Sequence, residues 1–95
     1  MMTLEEFLQT PQCPKSLSPA LQALWYDKQQ NWHTAHEIVQ NAGDADSAWV
    51  HAYLHREEGD ISNARYWYGR SGKPESKATL QEEWQQIANT LLAKT

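Results

Sequence analysis

A chain of 95 residues and 11.0 kDa allows one domain, and 40% apolar content with five Trp, four Tyr and one Phe supplies a modest core. Twelve acids against eight Lys and Arg give a net charge of -4 with no basic run, which argues against nucleic acid or an anionic membrane as partner. No apolar run approaches a spanning length, the start MMTLEEFLQT is acidic where a signal peptide is basic, and the single Cys13 fits no disulfide or metal motif, so the expected location is the cytoplasm.

In chain order, residues 1–10 read as a short helix: Thr3 and Glu6 have capping-box spacing, and Leu4, Phe7 and Leu8 share a side. PQCPKSLSP at 11–19 holds three Pro and no period, the mark of a loop. Ser18-Pro19 is an N-cap followed by Pro at the first helical position, and helices are expected at about 18–29, 31–42, 45–58, 60–71 and 75–93. Asn31 and Asp60 serve as caps, Gly43 and Gly72 sit where a left-handed residue ends a helix, and Gly59-Asp60 forms a tight joint. Nothing alternates with period two for the length of a strand.

Sliding the sequence by 29 residues places Ala20, Leu21, Ala23, Leu24 and Trp25 on Trp49, Val50, Ala52, Tyr53 and Leu54. Asn31 falls on Asp60, Trp32 on Ile61, Ala35 on Ala64, Ile38 on Trp67, Val39 on Tyr68, and Ala42-Gly43 on Ser71-Gly72. Apolar meets apolar and cap meets cap, so the expectation is all-α: two stacked antiparallel helical hairpins of 29-residue period. A last helix bearing Leu80, Trp84, Ile87 and Leu91 closes the stack. Residues 1–95 then form one domain: N-terminal helix and Pro-rich loop (1–17), hairpins (18–43 and 44–72) and capping helix (73–95).

Gly59-Asp60-x-x-x-Ala64-x-x-x-Tyr68-x-x-Ser71 resembles the second helix of a tetratricopeptide or Sel1-like repeat, and Ala35 and Val39 echo it, so the resemblance spans about residues 18–72. The period is shorter than the roughly 34 residues of that family, and its Trp-x-x-Leu-Gly-x-x-Tyr pattern is absent. The stretch AWVHAYLHREEGD with ARYWY is also similar to small bacterial proteins, a similarity that carries no activity. The repeat resemblance implies a curved surface that binds a peptide or a partner protein.

His51 and His55 lie about 40° apart on one helix face, together with Ser47 and Glu58. Two His at this spacing supply two positions of a zinc site, with Glu58 or His36 as the third; the competing reading is a wet polar stripe whose His pair with nearby acids. The order His-Ala-Tyr-Leu-His lacks the Glu of a His-Glu-x-x-His metalloprotease. His36 flanks the stripe of Trp32, Ala35 and Val39 and reads as a half-buried packing residue bonded to a neighbour, while His33 faces solvent. The repeat equivalent of His36 is Arg65, which suggests a polar rim of His36, Arg65 and His51 able to hold a carboxylate or phosphate. Trp49, Tyr53 and Arg56 form an aromatic stripe ending in a cation, which reads as helix capping, pairing with Asp60, or the anion anchor of a groove. Trp67 and Tyr68 belong to the core, whereas Tyr66 points to solvent as a contact residue. The acid pairs Glu5-Glu6, Glu57-Glu58 and Glu82-Glu83 read as solvated, and no phosphate loop or nucleophile elbow occurs.

The leading expectation is therefore a helical-repeat binding module without catalysis or cofactor, with a protein or peptide partner or a second copy at His36, Trp49, His51, Tyr53, His55, Arg56, Arg65 and Tyr66. The alternative is a small-molecule or metal site made by His36, His51 and His55.

Overall fold

Among the described residues, six side chains start six helices. The computed structural model describes residues 2–94. Thr3 opens α1 (Leu4–Gln9), Ser18 opens α2 (Pro19–Lys28), and Asn31 opens α3 (Trp32–Gln40). Asp44 opens α4 (Ala45–Glu57), Asp60 opens α5 (Ile61–Ser71), and Thr79 opens α6 (Leu80–Leu92). Each oxygen accepts an N–H of the first turn that would otherwise lack a partner. Thr3 with Glu6, and Thr79 with Glu82, complete reciprocal capping boxes. No strand occurs among the described residues, and no helix there is long and apolar enough to cross a membrane.

The joints after α2 and α4 share one geometry. Gly59 donates to the Arg56 carbonyl and Asp60 to that of His55; Gln30 donates to Asp27 and Asn31 to Tyr26. This is the Schellman closure, with the next helix's N-cap at its last position. The residue at its left-handed point is Gly59 (φ 88) in one case and Gln30 (φ 64) in the other. The two positions are 29 apart, the spacing of the sequence repeat. Gly72 (φ 77) ends α5 as expected, but Gly43 has no positive φ; α3 instead ends at Asn41 in a right-handed conformation.

Helix α4 is the centre of the molecule. It packs against α2, α3, α5 and α6, and the nine residues Ser47 to His55 are all buried. Ala48 and Ala52 are the smallest residues of this buried stretch. One continuous hydrophobic cluster joins Leu21, Leu24, Val50, Leu54, Tyr68, Trp84 and Ile87. Helix α1 docks on α6 by burying Phe7 against Trp84, ring centroids 6.0 Å apart. Indole N–H groups tie elements across the core: Trp32 donates to the Leu54 carbonyl (2.9 Å) and Trp84 to that of Leu24 (3.2 Å).

The last helix begins at Leu80, five residues later than 75, where Thr79 with Glu82 supplies the capping box. Glu83, expected in solvent, is 1% exposed. It accepts from Arg56 Nη1 at 2.7 Å and from the Tyr68 hydroxyl, while Arg56 Nη2 donates to the Ala78 carbonyl. This ion pair fastens the start of α6 to α4 and α5.

Candidate functional site

The site grows from two helical spacings. On α3, Trp32 and His36 are one turn apart and their rings stack, centroids at 4.8 Å and planes 9° apart. On α4, His51 and His55 stack in the same way at 4.8 Å. The Trp32 bond to the Leu54 carbonyl sets α3 against α4, and this brings His36 onto the His pair. His36 Nε2 then lies 3.1 Å from His51 Nε2, with the rings nearly perpendicular, and the His36 and His55 centroids are 5.1 Å apart. One nitrogen from each of the three rings lies within 4.8 Å of the other two.

Aromatic walls close two sides. Trp67 of α5 stacks on His51 with centroids 3.9 Å apart, and Trp32 covers His36 and meets His55 edge-on. His51 is 3% exposed and His55 6%, so the expected wet stripe is instead an interior seam. The physical reason is that α5 and α3 cover the face of α4 that the sequence alone leaves open. His55 Nδ1 meets Glu58 Oε1 at 2.6 Å, so the expected pairing with an acid holds for that ring. His51 Nδ1 is buried without a hydrogen-bond partner.

Burial and the neighbouring rings depress the basicity of His36 and His51. Burial, then the neighbouring His36 and His55 charges, pull His51 down from 6.5 to about 4. Burial first, then His55, also lowers His36, against an opposing pull from Glu58. His36 and His51 are therefore neutral at pH 7, and a neutral imidazole is the metal-binding form. A tetrahedral zinc holds its nitrogens at about 2.0–2.1 Å and therefore about 3.3 Å from one another. The 3.1 Å His36–His51 separation is already close to this, and a nitrogen of His55 lies within 4.8 Å of both.

The other candidate residues lie elsewhere. His33 is exposed and paired with Glu37. Trp49, with the Lys73 ammonium 4.6 Å from its ring centroid, lines a cavity of about 420 Å³ beside residues 73–78. Tyr53 lines a different cavity, of about 390 Å³, with Asp27 and Glu57. Arg56 is committed to Glu83 and Ala78 rather than to Asp60 or an open groove. Arg65 sits in solvent beside Glu75, and Tyr66 is 55% exposed, with Arg70 bonded to its hydroxyl. Around the triad, the two Trp walls carry no spacing signal as such: Trp32 and Trp67 read as ordinary core until the partner helix is in place.

A second titratable pair joins α2 to α4. Asp27 is buried, and its carboxyl shares a hydrogen bond with that of Glu57. Burial, then the Asp27 hydrogen bond and charge, raise Glu57 to about 8.

Comparison with known proteins finds no matching family model, no matching curated protein and no matching solved structure.

Proposed function

We propose that the protein binds one divalent transition metal, of the zinc class, through His36, His51 and His55. The observation that carries this reading is the convergence of three ring nitrogens from two helices within 4.8 Å. Metal at the Nε2 atoms would replace the ring-to-ring contact of His36 and His51 with coordination, and the buried Nδ1 of His51 would then carry the proton. An all-imidazole donor set suits zinc, nickel and copper and discriminates against calcium and magnesium, which require oxygen. The ion would staple α3 to α4 and keep a fourth position for water or an added donor. The cavities beside Trp49 and Tyr53 are lined without these three His, so the reading is binding rather than turnover.

The test is calorimetric and thermal titration of untagged, chelator-stripped protein at pH 7.5. Zinc at 100 times its Kd stabilises by about 2.7 kcal/mol, which on a domain this small raises Tm by roughly 10–20 °C. The expected stoichiometry is one ion per chain, lost in His51→Ala/His55→Ala. Unchanged Tm with zinc, nickel and copper sinks the proposal.

A second reading keeps the repeat resemblance and its docking role. It is supported by the two Schellman joints 29 residues apart and by exposed Tyr66, over which Arg70 packs. Its expected outcome is a dimer mass in sedimentation that falls to the monomer in Tyr66→Ser; a strict monomer in the unaltered protein rejects this form of the reading.

A further inference from the structure

We infer that Glu58 is a positioning residue that fixes the tautomer of His55 and so selects the nitrogen this ring offers to the site. The inference rests on the metal-binding reading above and deepens it.

Backbone geometry places Glu58 before its side chain acts. Glu58 is the C-cap of α4 and donates to the Leu54 carbonyl at 3.2 Å. Gly59, at φ 88, turns the chain there, and Asp60 donates back to the His55 carbonyl at 2.9 Å. The closure holds residues 55 to 60 as one unit, so Glu58 sits three residues past His55 with its carboxylate against Nδ1 at 2.6 Å. The neighbouring carboxylate of Asp60 is engaged otherwise: it accepts from the backbone and side-chain amides of Asn63 as the cap of α5. Glu58 is thus the carboxylate free to serve the His55 ring.

A carboxylate cannot donate, so the short contact requires the proton on Nδ1 of His55. In the neutral ring the lone pair is then on Nε2. A free neutral histidine side chain favours the proton on Nε2; here the charge-assisted bond to Glu58 reverses that preference. A carboxylate bonded to the far nitrogen of a ligating His both orients the ring and raises its basicity, and losing such a partner weakens metal binding roughly 10–100-fold. A direct-ligand role for Glu58 is the competing assignment, since His55, Glu58 and Asp60 form a second group with donor atoms within 4.8 Å. The two roles make opposite demands on Nδ1: a positioning Glu58 needs a proton there, and a cluster using Nδ1 as donor needs it bare.

The experiment is long-range ¹H–¹⁵N correlation of the His rings in chelator-stripped protein, alongside zinc titration, for the unaltered protein, Glu58→Gln and Glu58→Ala. Both substitutions are at a solvent-accessible side chain, and unchanged helicity and Tm within a few degrees serve as the folding control. The expected spectrum shows His55 protonated at Nδ1 and bare at Nε2. The amide oxygen of Glu58→Gln still accepts from Nδ1 and retains this pattern with a zinc Kd up to 10-fold weaker, whereas Glu58→Ala gives mixed tautomers and a Kd roughly 10–100-fold weaker. Protonation of His55 at Nε2 in the unaltered protein overturns the inference. So does a pattern unchanged in Glu58→Ala, or an equal and complete loss of zinc in both variants, which would make Glu58 a direct ligand. If no metal binds at all, the zinc reading fails and the His55 tautomer in Glu58→Ala still decides whether Glu58 sets it.

Discussion

Replacing His51 with leucine removes the most strongly perturbed imidazole in the seam and tests how that seam responds to acid. In the folded protein the ring stays neutral down to about pH 4, whereas an unfolded His takes up its proton near 6.5. Between these values the unfolded chain binds more protons, so stability is full above pH 6.5 and falls as pH drops from 6.5 to 4. At about 1.4 kcal/mol per pH unit, the whole window amounts to about 3 kcal/mol, a large part of the roughly 5–15 kcal/mol expected for a small domain. The lowered His36 acts in the same direction. Urea unfolding at half-unit steps from pH 7.5 to 4, with chelator present, measures this. The unaltered protein loses about 3 kcal/mol more over the window than His51→Leu, since carboxylate contributions are common to both and cancel in the difference. Parallel curves for the two proteins would refute the argument, because they would mean that His51 takes up its proton in the folded state as readily as in the unfolded one.

Three other outcomes follow from the fold. Gln30→Gly relieves a side chain held at φ 64 in a position its counterpart fills with Gly59, and raises stability by about 1 kcal/mol, read as a Tm gain of roughly 4–8 °C. Glu83→Ala strands the Arg56 guanidinium and the Tyr68 hydroxyl in the interior and costs about 3–5 kcal/mol, read in urea; a loss below 1 kcal/mol would deny that the pair fastens α6. Glu57→Gln reports on the pair with Asp27. Its carboxyl is raised from 4.5 to about 8, so the folded state holds the extra proton and stability falls as pH rises through that window. The amide flattens this slope, by about 1 kcal/mol because solvent screens the exposed Glu57.

Local chemistry was legible in the chain. Thr3, Ser18, Asn31 and Asp60 each precede a helix because their side chains reach only the next turn, and nothing distant is needed to recognise them. The His spacing was legible for the same reason. What failed was environment. Helix α4 carries Ser47, His51 and His55 on the side opposite its apolar residues, and a lone helical wheel assigns that side to water. Burial there depends on α3 and α5, which are brought in by Trp32 and Trp67, residues whose own pattern is that of plain core. Glu83 and Arg56 were misplaced by the same blindness: each lies at the edge of an apolar stripe, and only the packing of α6 on α4 turns both edges inward to meet.

Three imidazoles in a seam are an unusual way to fill space, and the cost can be read in the unmet Nδ1 of His51. A buried polar nitrogen without a partner costs about 1–3 kcal/mol, whereas leucine has no polar atom to leave unpaired. The stack of His51 on Trp67 offsets part of that cost, at about 0.5–1.5 kcal/mol, and the 3.1 Å contact with His36 Nε2 offsets another part; leucine forfeits both. Without metal at pH 7.5, His51→Leu should therefore fall within about 1 kcal/mol of the unaltered protein in either direction, since these magnitudes nearly cancel. Zinc changes the ranking. At 100 times Kd it adds about 2.7 kcal/mol to the unaltered chain and nothing comparable to the variant, which keeps only His36 and His55. Melting curves of both proteins, each with chelator and with zinc, give four midpoints, and the informative quantity is the interaction between substitution and metal. A His51→Leu protein that loses several kcal/mol in chelator would mean that the ring's own contacts sustain the seam. Near-equality in chelator with a wide gap in zinc would mean that the imidazole is kept for the ion.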